Sequence, residues 1–135
     1  ISDERLKSNI TDANSQWDDI KALKVKNYKM LQDPDQITQI GVISQDLETA
    51  GMNGLVNHSE PEAEHIKMSS EFGTLYEDGD TIPEGKKVGD IKTTTDEKVK
   101  GVSYSVLYMK AIKALQEAQT RIETLESKVQ ALEDA

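Results

Sequence analysis

From Ser103 to Ala135 the chain has neither Pro nor Gly, and its apolar residues recur in alternating steps of three and four: Leu115, Ala118, Ile122, Leu125, Val129 and Leu132. That is an a/d heptad seam on one long helix. Arg121 and Lys128 fall at g, while Glu126 and Glu133 fall at e. In parallel helices a g residue meets the following e residue of its neighbour, so Arg121–Glu126 and Lys128–Glu133 are complementary in a parallel homo-oligomer. The alternative is a single amphipathic helix packed on its own domain, and the seam alone does not choose between two strands and three. Nearer its start the helix carries a wider apolar face of Tyr104, Leu107, Tyr108, Ala111 and Ile112, which suits packing on a globular part.

Shorter patterns fill the rest. Ser2 or Asp3 can cap a helix start, where Asp3 and Glu4 suit the positive end of the dipole. Asp12 or Asn14 is placed to cap a second short helix carrying Trp17, Ile20 and Leu23, with Trp17 expected in the core. The run "LKVKNYKML" alternates and predicts a short strand with one wet face. "DPDQ" at 33–36 reads as a turn. Ile40, Val42 and Ile43 predict a short buried strand, followed by a helix "SQDLETAG" with Ser44 as N-cap and Gly51 at its end. Residues 53–100 are dominated by Gly, Pro and charge, which predicts an extended, hairpin-like arm with little core of its own; a structureless loop of that length would be unusual. The expected architecture is therefore mostly α with small β elements (α+β). It comprises a compact head over 1–102, with its arm at about 53–100, and a C-terminal helix and coiled coil over 103–135.

Composition narrows the function. The chain has 135 residues, 36% of them hydrophobic and 4% aromatic, so a lone copy buries a modest core and oligomerisation would supply more. A net charge of -9 argues against a nucleic-acid partner and against an anionic membrane surface. Cysteine is absent, which removes disulfides, thiolate metal sites and a cysteine nucleophile, and fits cytosolic synthesis. No apolar run approaches bilayer length and no signal peptide is visible. No GxxxxGK[ST] loop is present, "EDGD" at 77–80 lacks the spacing of a calcium loop, and no cofactor or metal is expected.

The chemistry concentrates in "SDERLK" at 2–7. A Ser hydroxyl is a weak nucleophile until a base takes its proton. His58 and His65 are the only histidines, both lie in the polar middle, and neither has an obvious triad companion. A Lys can replace His, provided that burial or a neighbouring cation disfavours its charged form. Arg5 is such a neighbour, while Asp3 and Glu4 oppose it. On a regular helix Ser2 and Lys7 stand roughly 140° apart and do not face each other. Either Ser2 lies in extended chain ahead of the helix, or the Lys comes from another subunit. The plain alternative is that Ser2, Asp3 and Glu4 are a helix start and Lys7 a solvated side chain.

Three motifs in order, "SDERLKSNI", "IGVISQDLE" and "VSYSVLYMKAIKALQ", resemble the C-terminal intramolecular chaperone domain of phage tail spikes and tail fibres, the peptidase S74 family. That family also occurs in endosialidases, neck appendages and myelin regulatory factor. The resemblance is weakest over 53–100. It implies a homotrimer held by the C-terminal helices, which registers the upstream fibre segment of its own chain while arms embrace it. It implies self-cleavage between Ser2 and Asp3, with Ser2 as nucleophile, Lys7 as general base, and Glu4 and Arg5 placed to orient the site. The setting it implies is the host cytoplasm during virion assembly, with release from the mature virion fibre after cleavage. The other readings are a non-enzymatic trimerisation module and the cleavage domain of a myelin-regulatory-factor-like protein.

Overall fold

The computed structural model describes all residues, Ile1–Ala135. It is a small α+β chain of four α-helices, three single-turn 3-10 segments and three two-stranded antiparallel ladders. Contacts divide it into two compact units: Ile1–Ala22 with Ser105–Ala135, and Leu23–Tyr104.

The second unit holds all the strands. β1 (Lys26–Tyr28) and β2 (Gln39–Gly41) pair antiparallel, with Asn27 opposite Ile40. The turn between them is fixed by Asp33, whose carboxylate accepts from the Asp35 and Ile37 N–H groups at 2.9 Å each. Helix α2 (Ser44–Thr49) follows. It ends where the Gly51 N–H bonds to Glu48 C=O at 3.0 Å and the Met52 N–H to Leu47 C=O at 2.9 Å. This double bond pattern satisfies two terminal carbonyls and brings Met52 back over Leu47; both side chains are buried.

Two expectations change here. Ile40 points to solvent, 73% exposed, because the two-stranded ladder has no second layer over that face. The buried positions begin one residue after the strand, at Val42. Ser44 is the first helical residue and is itself buried, while Ile43 occupies the capping position without a side-chain bond.

The segment after Gly51 goes out and returns as nested ladders. β3 (Val56–Ser59) pairs with β6 (Val99–Val102), and inside that pair β4 (Gly73–Leu75) pairs with β5 (Ile91–Thr94), with a register shift between Thr74 and Leu75. Helix α3 (Ala63–Met68) lies between β3 and β4. The arm is hairpin-like, as its composition predicts, but it is not without core. Leu55, Val56 and Ile66 are buried along with Val42, Leu47 and Met52. The apolar residues are too sparse to show a period in sequence, yet pairing of β3 with β6 gathers them on one side. "EDGD" is a turn: the Glu77 N–H donates to the Asp80 carboxylate at 2.9 Å.

The first unit is built on α4 (Tyr104–Glu133), 30 residues long, and the short α1 (Trp17–Ala22). In α4 Leu107 and Ala114 are buried. The large seam residues Leu115, Ile122, Leu125, Val129 and Leu132 are all at least half exposed.

Candidate functional site

Residues 2–7 form no regular helix. Asp3 is extended (φ -76°, ψ 127°), a single 3-10 turn covers Glu4–Leu6, and Lys7 is extended again (φ -125°, ψ 154°). The turn is closed by Leu6 N–H on Asp3 C=O and Lys7 N–H on Glu4 C=O, both 3.1 Å. Ser2 and Lys7 therefore flank the turn, and Lys7 Nζ donates to Ser2 Oγ at 2.8 Å. The helical-wheel objection is removed because neither residue is on a helix, and the pair forms within one chain. Both side chains are exposed.

Asp3 is held tightly. Its carboxylate accepts from the Arg5 backbone N–H at 2.9 Å, from Arg5 Nε at 3.0 Å and from a terminal guanidinium nitrogen at 2.6 Å. The Arg5 side chain, then the Arg5 N–H, keep the Asp3 carboxyl below its ordinary value, and the same pairing raises Arg5. Arg5 is thereby turned to Asp3 and the turn is stiffened next to the Ser2–Asp3 bond. Glu4 is the exposed first residue of the turn and contributes its carbonyl.

The two histidines do other work. His58 lies on β3 opposite Lys100. The ring nitrogen Nδ1 of His65 accepts from the Glu62 N–H at 2.9 Å, half of a reciprocal cap on α3.

The second motif meets the third at a close approach of backbone to ring. A Cβ on Gly41 would stand 2.7 Å from the Tyr104 hydroxyl and 3.2 Å from that of Tyr28. Only Gly admits both tyrosines there. The Val42 N–H, just beyond, donates to Tyr104 Oη at 3.3 Å. In α2, Asp46 Oδ2 lies 2.6 Å from Lys26 Nζ, an ion pair without hydrogen-bond alignment. Glu48 of α2 pairs with Lys100 at 2.6 Å. Charges of the "SQDLE" motif thus tie α2 to β1 and β6.

One cluster is absent from the sequence expectations. Neither Asp12 nor Asn14 caps α1. The Glu117 carboxylate of α4 accepts from Ser15 Oγ at 2.6 Å and from the Gln16 N–H at 2.7 Å. Lys110 Nζ donates to Asp19 at 2.9 Å and also to Gln16 Oε1. The Arg121 guanidinium lies 3.7 Å from the Trp17 ring centroid. Trp17 is consequently half-buried rather than a core residue. These partners stand about a hundred positions apart, so no local pattern announces them.

One 3-10 turn thus brings Lys7 onto Ser2, and the large seam residues of α4 remain exposed. Residues 2–57 match the family model Peptidase_S74, chaperone of endosialidase, which bears out over that span the resemblance carried by the sequence motifs. The match starts at Ser2 and takes in the Ser2–Lys7 turn, the β1–β2 ladder, α2 and the beginning of β3. No curated protein matches the chain.

Proposed function

We propose that this chain is a self-cleaving assembly chaperone. Three copies gather through α4, hold the upstream fibre or spike segment of their own chains in register, and then cut the Ser2–Asp3 bond. The observation that carries the reading is the 2.8 Å contact of Lys7 Nζ with Ser2 Oγ at the bond to be cut. With Lys7 neutral the hydrogen bond reverses. Lys7 takes the Oγ proton as Oγ attacks the carbonyl carbon of the Ser2–Asp3 peptide of a neighbouring copy in the assembly, since attack on its own carbonyl would close a four-membered lactone. A C–O bond forms, the C–N bond breaks, and Lys7 returns the proton to the leaving Asp3 nitrogen. Water then hydrolyses the ester, leaving a carboxylate on Ser2 of the cleaved copy and restoring the attacking hydroxyl.

A lysine serves as base when desolvation or a nearby cation disfavours its charge. In a single chain Lys7 is open to solvent, so assembly is the step that would cover it and switch the site on. The benefit of the order is physical. Registering three chains at one end makes their pairing effectively intramolecular. Long-range β pairing is otherwise slow and aggregation-prone. Removing the template afterwards leaves the product kinetically trapped.

Exposure of both Ser2 and Lys7 favours a second reading, a passive trimerisation module in which "SDERLK" is only a capped turn. Intact mass decides between them, using the domain expressed with its native upstream sequence. The self-cleaving reading expects a wild-type fragment beginning at Asp3, with Ser2→Ala and Lys7→Ala remaining whole. A folded, trimeric wild type that stays whole would sink the protease claim and leave the passive module.

A further inference from the structure

Between α1 and α4 runs a groove of 330 Å³ lined by Trp17, Ile20, Ala111, Ala114, Leu115 and Ala118 together with Lys21. Its lining is almost wholly apolar, and nothing in the chain fills it. Two of its residues, Leu115 (a) and Ala118 (d), also belong to the heptad seam, and Ala111 takes the preceding d position. The groove is therefore the N-terminal continuation of the seam, with α1 forming an extra wall beside it.

Two neighbouring features say what fits. Ile112 falls at e, 46% exposed, an apolar side chain at a position that is normally wet. In a parallel assembly the e edge of one helix lies beside the d and g positions of the next, which here are the groove. Arg121 falls at g and is stacked on Trp17. A stacked guanidinium keeps its N–H donors around its edge, so Arg121 can hold Trp17 by its face and still meet Glu126 of a neighbour. The charges at Lys128 and Glu133 specify the same parallel register.

We propose that α1 is part of the assembly interface, and that the groove receives the Ile112–Leu115 edge of α4 from a second copy of this chain. The inference rests on the parallel assembly proposed above and adds an element to it. Residues 1–22, including Ser2 and Lys7, then join the interface through α1 rather than hanging beside it. Trp17 and Arg121 are of the types that dominate interface energetics when centrally buried.

Trp17 is the only tryptophan, so its fluorescence reports on the groove alone. The experiment compares acrylamide quenching and emission of the wild type with those of Val129→Asp, whose charge disrupts the seam about two turns beyond Arg121. Sedimentation of both, and of Ile20→Asp, is run in parallel. The expected result is an assembled wild type whose Trp17 is blue-shifted and quenched at least twofold less than in Val129→Asp, with Ile20→Asp assembling at least tenfold more weakly. An assembled wild type with Trp17 as quenchable as in Val129→Asp would overturn the proposal while leaving the assembly intact. A wild type monomeric at all concentrations would overturn the assembly reading itself.

Discussion

Ser2 and Lys7 meet because the backbone between them makes one tight turn and then extends. Five residues of α-helix would have parted them. Asp3 is the pivot: it caps the turn with its carboxylate and is itself clamped by Arg5. The clamp has a defined pH sense. The Asp3 carboxyl is lowered in the folded chain by the Arg5 side chain first and the Arg5 N–H second. Its contribution is present above the ordinary Asp value and is lost as pH falls through the lower folded value. NMR titration of the Asp3 carboxyl should give a midpoint below the ordinary 3.8 in the wild type, moving up towards it in Arg5→Ala. Equal midpoints in the two proteins would show that Arg5 does not hold Asp3. Because the pair is exposed, added salt should narrow the difference.

Among the elements, α1 depends most on partners outside itself. Six residues are too few for a stable isolated helix. Glu117 accepts from the Gln16 N–H just ahead of it, Lys110 donates to its Asp19 and Arg121 stacks on its Trp17 ring. The Glu117 carboxyl is held below its ordinary value by the Ser15 hydroxyl first and the Gln16 N–H second. The stabilisation is therefore full above the ordinary Glu value and disappears as pH drops through the lower folded one. An acid titration followed by Trp17 emission should show a step with its midpoint below 4.5, absent in Glu117→Ala, where Trp17 begins in its released state. Persistence of the same step in that variant would assign it to another carboxylate.

The whole molecule leaves a great deal of surface unburied. Eight apolar residues are buried, while five large seam residues are at least half exposed. At about 1.5–3 kcal/mol for fully burying a large aliphatic side chain, the seam holds several kcal/mol per helix that a single copy leaves unrealised. If association is how it is realised, the melting temperature must rise with protein concentration, since mass action couples folding to assembly. Calorimetry across a hundredfold concentration range checks this, and a flat melting temperature would mean that the seam is not closed by other copies.

Ser2 with Lys7 entered through the motif resemblance, since helical spacing would part them. Local spacing was enough to specify the long C-terminal helix, the "DPDQ" turn and the short helix at "SQDLETAG". Each depends on residues a few positions apart, whose relation the backbone period fixes by itself. Tertiary structure decided the rest. Pairing β3 with β6 folds a polar excursion back into a core, and a missing second layer leaves Ile40 in water. Glu117, rather than a nearby Asp or Asn, accepts from Ser15 and Gln16 at the start of α1. Those outcomes depend on groups roughly forty to a hundred residues apart, and a hydrogen bond or an apolar contact is set by distance in space, which a sequence period cannot encode.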